Sequence, residues 1–178
     1  MALDTLETLD TVVLDYAIGL EGPEHGRRIH ELTDRAFGPG RYVKTAERLR
    51  EDSQPIPDLS FIAGHGEKLV GSVRLWPVFV YDFEPNHYEP LAFLGPIVVD
   101  PPHRGHGIGK ALIGAAVEAA FAKGLRAVLL VGAQSFFTPF GFHKAEDIAM
   151  PGPVDPARVL IRYARPGLAF KGQVCKVV

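Results

Sequence analysis

Chemistry in this chain gathers in one stretch, "DPPHRGHGIGKAL", residues 100–112. Arg104, Gly105, His106, Gly107, Ile108, Gly109 and Lys110 lie there between an apolar run, "LGPIVV", and an alanine-rich segment. A helix beginning here leaves about four backbone N–H groups without partners and carries roughly half a positive charge at its end. An anion can accept several of those hydrogen bonds at once. The three glycines remove the side chains that would hold a bulky anion away, and they permit positive φ. Arg104 adds a cation able to bond two oxygens together. The physical reading is a site for a phosphate-bearing ligand.

Two nucleotide templates fail against this spacing. A Walker A loop needs four residues between its first glycine and Gly-Lys, then Ser or Thr for magnesium. Gly105 and Gly109 enclose three, and Ala111 follows Lys110. The dinucleotide fingerprint needs G-x-G-x-x-G in a tight turn. Here the spacing is G-x-G-x-G, and "DPPHR" intervenes.

The remaining reactive side chains form no site by themselves. The histidines show no HExxH pattern and no paired acidic ligands, so no metal is expected. Cys175 is the only cysteine, which excludes an internal disulfide, and it reads as an inert, buried thiol. His103 and His106 read as solvent-facing loop residues. Glu84, His87 and Glu89 precede the apolar strand and are placed to meet a cationic amine, or else to form a solvated loop. Trp76, Phe79, Tyr81 and Phe83 alternate along one segment as core or as the wall of a cleft.

The elements that position the glycine stretch follow from periodicity. "VVLDYAIG" (12–19) reads as a first strand. Pro23 suits a helix first turn, and Ile29, Leu32, Ala36 and Phe37 recur at helical spacing up to Gly38-Pro39-Gly40. "TAERLRED" (45–52) is a second, short helix. "LSFIA", the turn "GHGEK" and "LVGSVRLWPVFVY" make a meander, with Pro77 at a bulge or edge position. "EPNHYEP" (84–90) is a loop. "LAFLGPIVVD" is a strand buried on both faces, kinked or bulged at Gly95-Pro96. The next helix carries a stripe of Ile108, Leu112, Ala115, Ala119 and Ala122, and Gly124 suits its left-handed end. "LRAVLLVGA" is a buried strand, "FFTPFGF" one helical turn and an exit, and "RVLIRYA" and "QVCKVV" two closing strands. The expected class is α+β on a mixed sheet, with one parallel strand–helix–strand crossover from Leu91 to Ala133.

Composition narrows function further. The 178 residues suit one domain, 1–178, with residues 1–11 a loosely ordered extension. A net charge of −2 without a basic tract gives no footprint for nucleic acid or an anionic membrane. No signal peptide or membrane-spanning run is read, so a cytoplasmic location is expected.

One template does fit. "RGHGIG" matches R/Q-x-x-G-x-G/A at Arg104, Gly107 and Gly109, after a buried strand and before a long helix. Together with "GSVRLWPV" upstream and "FFTPFGF" downstream, it resembles the GNAT superfamily of N-acetyltransferases, over about Val12 to Val178. The resemblance implies a GNAT-type acyl-CoA N-acyltransferase fold, with a central pair of parallel strands that splay apart. It implies that the pantetheine arm of acetyl-CoA or coenzyme A pairs with backbone of Ile97, Val98 and Val99. The amides of Gly105, His106, Gly107, Ile108, Gly109 and Lys110, beside Arg104, would then hold the pyrophosphate. Phe137 and Phe140 would pack along the arm. The acceptor would be an amine of a small molecule or a protein, with a homodimer among the options. In that family a tyrosine on the short helix often protonates the leaving thiolate. Phe137 stands at its position here, a carboxylate base common elsewhere is replaced by apolar residues around Phe93, and water or Ser135 is left as the proton donor. A non-catalytic CoA-binding module on the same fold is the alternative.

Overall fold

The structure is a computed structural model and describes residues 15–177. The expected N-terminal extension, the start of the first strand at Val12 and the last residue, Val178, lie outside the described residues.

The first strand, β1 (Ala17–Leu20), pairs antiparallel with β2 (Phe61–His65). Between them run α1 (Gly26–Phe37) and α2 (Thr45–Arg48). A 3-10 turn at Pro23–His25 starts α1, Ile29 and Leu32 are buried from it, and Gly38 at φ 67 ends it. The second helix stops at Arg48, short of the expected Asp52. Asp52 itself is left-handed, at φ 59.

A meander then forms the centre. Strand β3 (Lys68–Asp82) pairs antiparallel with β2 on one edge and with β4 (His87–Val99) on the other. The segment Glu84–Pro90 is therefore not all loop. Strand β4 begins at His87, because Tyr88 sits opposite Tyr81 with their rings 4.6 Å apart. The connection is a tight turn, with Asn86 at φ 65. Aromatic cross-strand pairing outweighs the turn chemistry of Pro85 and Asn86. Trp76 does not share a face with Phe79, Tyr81 and Phe83. It belongs to the core with Phe93, while Tyr81 packs against Phe83 and Tyr88.

The glycine stretch leads into α3 (Ile108–Ala122), then β5 (Ala127–Val131), which is parallel to β4. The crossover is as expected. Its buried face is Ile108, Leu112, Ile113, Ala116, Val117 and Ala120. That face is rotated from the alanine stripe, because Ile113 and Val117 bury more apolar surface than alanines can. Gly124, at φ 88, closes the helix.

The remaining elements are α4 (Gln134–Phe137), β6 (His143–Lys144), β7 (Ile148–Ala149), β8 (Val159–Tyr163) and β9 (Gly172–Lys176). The sheet runs β1-β2-β3-β4-β5-β8-β6. The two closing strands separate: β8 pairs with β5, and β9 pairs with Val78–Tyr81 of β3. Pro77 sits where the β2 partnership of that edge has ended and the β9 partnership has not begun, so its missing N–H interrupts neither ladder. One core lies under α3, and a second on the opposite face contains Leu49, Trp76, Phe93 and Leu129.

Candidate functional site

The site is built where β4 leaves β5. The two strands are in parallel register only over Ala92–Leu94. Opposite β3, the register then jumps: Val73 faces Ile97, whereas Leu75 faces Leu94. One extra residue is thus accommodated in β4 at Gly95-Pro96, as the proline in this strand led us to expect. Trp76 Nε1 donates to Gly95 O at 2.6 Å and fixes the bulge. Beyond it, Ile97, Val98 and Val99 pair with β3 alone. Their other edge borders a groove of about 520 Å³.

The loop at the groove's outer end is shaped by backbone. A 3-10 turn at Pro101–His103 leads to Arg104, whose Nε donates to Val99 O at 3.0 Å and ties the loop to β4. Gly105 and Gly107 have φ of 83 and 81, a region that costs side-chain-bearing residues strain. Gly107 is the N-cap of α3 and supplies no side-chain cap, and the first turn holds no acidic residue. The helical ladder opens with Ala111 N donating to Gly107 O at 3.0 Å. The N–H groups of Ile108, Gly109 and Lys110 precede that bond and have no partner within the helix. Gly109 has ordinary helical surroundings: a Cβ there would stand 3.8 Å from Val99 Cγ2. Its bareness keeps the helix end open rather than relieving strain.

The groove brings together Ile97, Val98, Val99, Arg104, Gly105, Gly107, Ile108, Gly109 and Lys110 from the sequence-based set. It leaves out His106, which packs against Tyr16 with ring centres 5.8 Å apart. Phe137 and Phe140 are also outside its lining. Phe137 turns into the core beside Phe142, and the exposed Phe136 takes the groove position. The resemblance led us to expect Phe137 along the arm; it lies outside the groove lining, because a four-residue helix has one buried side and Phe137 occupies it. Phe140 packs partly buried on the same core. Ser135 is exposed on α4 and is not among the groove's lining residues. Glu84 and His87 lie at the far end of the β3–β4 hairpin. His87 is about 26 Å along the strand from Gly95 at the usual rise per residue. His87 and Arg126 instead serve Glu89, at 3.4 and 2.8 Å. His103 is not solvent-facing: it is half-buried, lines the groove and bonds Tyr16 Oη at 3.1 Å.

Sequence reasoning missed two features. Ala36 and Phe37 of α1 complete the groove wall, although only their helical periodicity was legible. The second feature is a chain of charges against the bulge. Asp34 Oδ1 accepts from Arg41 Nε and Nη2 at 3.0 and 2.8 Å. Arg41 Nη1 donates to Glu47 Oε1 at 2.9 Å, and Glu47 Oε2 accepts from Arg50 Nη1 at 3.0 Å. The Arg41 hydrogen bond holds the Asp34 carboxyl below its ordinary value. Burial pulls the Arg50 guanidinium down to about 10, against the opposing pull of Glu47. No sequence motif marks these four residues. Cys175 stands apart on β9, where burial pushes its thiol up, away from nucleophilic use.

Among the described residues, no group of three or more His, Cys, Asp or Glu is placed to hold a metal ion, and no helix is long and apolar enough to cross a membrane.

Comparisons with known proteins bear on this geometry. The profile of the Acetyltransferase (GNAT) family matches residues 27–142. The uncharacterized N-acetyltransferase YjhQ of Escherichia coli (strain K12) is 30% identical over 127 residues, 70% of this chain and 68% of that protein. Among solved structures, the GNAT family N-acetyltransferase YhbS of Escherichia coli in complex with CoA superposes with a TM-score of 0.76. It is 23% identical, over 92% of this chain and 90% of that one. A GNAT family acetyltransferase from Brucella melitensis in complex with acetyl-CoA gives a TM-score of 0.69. It is 21% identical, over 92% and 96% of the two chains.

Proposed function

The chain belongs to the GNAT family of acetyltransferases, and from that premise we propose that it transfers an acetyl group directly from acetyl-CoA to an amine of a small molecule or a protein. The observation that carries the reading is the groove, with its partnerless α3 amides at one end and the released edge of β4 at the other. Its fit to the donor is chemical. The N–H groups of Ile108, Gly109 and Lys110, with Arg104 and the Lys110 side chain near them, suit a pyrophosphate. The freed edge of Ile97–Val99 offers backbone donors and acceptors to the amide-bearing pantetheine arm. Two relatives of this fold have been crystallised with CoA or acetyl-CoA, in keeping with that assignment.

With the donor seated this way, its thioester lies at the inner end of the groove, near the β4 bulge. A neutral amine attacks the thioester carbonyl carbon, the C–S bond breaks, and the nitrogen loses a proton. The products are the N-acetyl amide and free CoA thiol. Backbone N–H groups of β4 are placed to stabilise the developing oxyanion, and holding both reactants in one slot supplies much of the rate. The groove-lining residues with a proton-bearing side chain are His103, Arg104 and Lys110, all at the pyrophosphate end. The leaving thiolate is therefore protonated by water, a tolerable route for a thiol whose ordinary pKa is about 8.5.

The test is release of free thiol from acetyl-CoA with a panel of amines. Turnover of at least one amine is expected. A thermal-denaturation series with CoA accompanies it, because a ligand that binds only the folded state raises apparent stability. The absence of an ionisable group from α4, where Phe136 faces the groove, favours one second reading: a module that binds CoA without transferring anything. Stabilisation by CoA without turnover of any amine supports that module. No stabilisation at millimolar CoA rejects both readings.

A further inference from the structure

The side chains of Arg41 and Arg50, each 10% exposed, and of Arg74, 18% exposed, are largely withdrawn from solvent. A guanidinium has a side edge, formed by Nε–H and one Nη–H, whose two parallel donors match the two oxygens of a carboxylate. In Arg74 that edge is filled by Glu21, with Nε donating to Oε2 at 2.8 Å and Nη2 to Oε1. In Arg41 it is filled by Asp34. In Arg50 it is empty. Only Nη1 has a partner among the described residues, Glu47, and Nε is fully buried with none. Leaving a buried, charged donor unbonded is costly, and proteins rarely do so without a reason.

The Nη2 end of that edge reaches the bulge of β4. Arg50 Nη2 lies 2.9 Å from the point that a Cβ on Gly95 would occupy. Its guanidinium stands 5.4 Å from the centre of the Phe93 ring. Gly95 does not fill the edge: its carbonyl accepts from Trp76, and it has no side chain. Gly95 is also two residues along β4 from Ile97, where the groove begins. Arg50 therefore stands at the bulge, two residues along β4 from where the groove begins.

We propose that Arg50 recognises the acceptor, and that the acceptor is an amine carrying a carboxylate, amino-acid-like, which bonds the guanidinium at Nη2 beside Gly95 while its nitrogen reaches the thioester. The assignment rests on the groove being the acetyl-CoA site. The charge chain supports it. Asp34, Arg41 and Glu47 satisfy one another and brace Arg50 through Nη1, which fixes Nη2 in place beside Gly95. Glu47 bridges two guanidinium groups and is not free to serve the substrate. The lowered pKa of Arg50 is consistent with a cation that Glu47 only partly compensates.

The experiment first titrates the protein with CoA. It then measures thiol release at saturating acetyl-CoA with paired probes, free amino acids and their carboxamides, such as phenylalanine with phenylalaninamide and leucine with leucinamide. In wild type, kcat/KM for the carboxylate member should exceed that of the carboxamide by roughly 10- to 100-fold, the range of charge-assisted hydrogen bonds. Arg50→Gln should reduce the preference to within about 3-fold, mainly through KM, with the CoA affinity unchanged; this follows from losing the guanidinium charge. Arg50→Lys, a point charge without the fork, should keep part of the preference, and it carries the comparison if the glutamine variant does not fold. A second readout needs no turnover: free amino acids should raise the Tm of the CoA-saturated wild type more than their carboxamides do, and the glutamine variant should lose that difference. The inference is overturned if CoA binds yet neither rates nor Tm distinguish carboxylate from carboxamide, or if Arg50→Gln keeps the preference. If CoA does not bind, the reading of the groove falls, and this inference with it.

Discussion

The two ends of the groove are made of different material. The outer end, Arg104 to Lys110, is mostly backbone: two glycines of positive φ, a helix start and the amides of its first turn. Past the inner end, which begins at Ile97, the bulge at Gly95 is held by side chains: Trp76 from β3, Phe93 of β4 itself, and Arg50 with Glu47 from the α2 region. A backbone site tolerates changes of side chain but not of conformation. A side-chain site behaves the opposite way. This division suits a fold whose donor is common to the family and whose acceptor varies.

That contrast can be broken by substitution. The largest effect is expected for Gly107→Glu, which forces a side chain into the left-handed region and puts a negative charge beside the proposed pyrophosphate position. CoA affinity measured by titration calorimetry should fall at least about 100-fold, while circular dichroism keeps the helical signal. If affinity survives, the outer end is not where the pyrophosphate sits. Trp76→Phe removes the side-chain donor to Gly95 O. It should lower stability by about 1–3 kcal/mol and kcat roughly 10-fold, with little change in CoA affinity. An equal loss in CoA affinity would show that the two ends are not separable. Arg104→Gln loses the tie to Val99 O and one positive charge, and should weaken CoA binding by about 5- to 10-fold, more at low salt than at high.

The smallest effect concerns Asp34. Its carboxyl is held below the ordinary value by Arg41, so its stabilising contribution is complete above the unfolded-state pKa, about 3.9, and is lost as pH falls through the lower folded-state value. Wild type should therefore melt slightly above Asp34→Asn at pH 6–7, with the gap closing below about pH 4. A gap that widens in acid would contradict the ion-pair geometry.

The division also explains what could be read in advance. The β4–α3–β5 crossover, the bulge at Gly95-Pro96 and the helix start at Gly107 were legible, because each rests on residues adjacent in sequence. The loop expected over Glu84–Pro90 was partly strand, because the pairing of Tyr88 with Tyr81 decides it and lies outside any local window. The buried face of α3 was misjudged for a related reason: alanines favour a helix, but the larger Ile113 and Val117 choose the side that is buried. Phe136 and Phe137 are indistinguishable in a sequence, and packing against Phe142 sends one into the core and the other to the groove.

By itself the sequence determined the family, the phosphate-type loop and the helix that presents it, since glycine spacing and helix signals act over a few residues and need no partner. The tertiary structure alone decided which groove the loop opens onto, and that Arg50 stands beside the β4 bulge at Gly95 with its Nε unbonded. Both of these depend on contacts between segments about fifty residues apart, which a spacing rule along the chain does not encode.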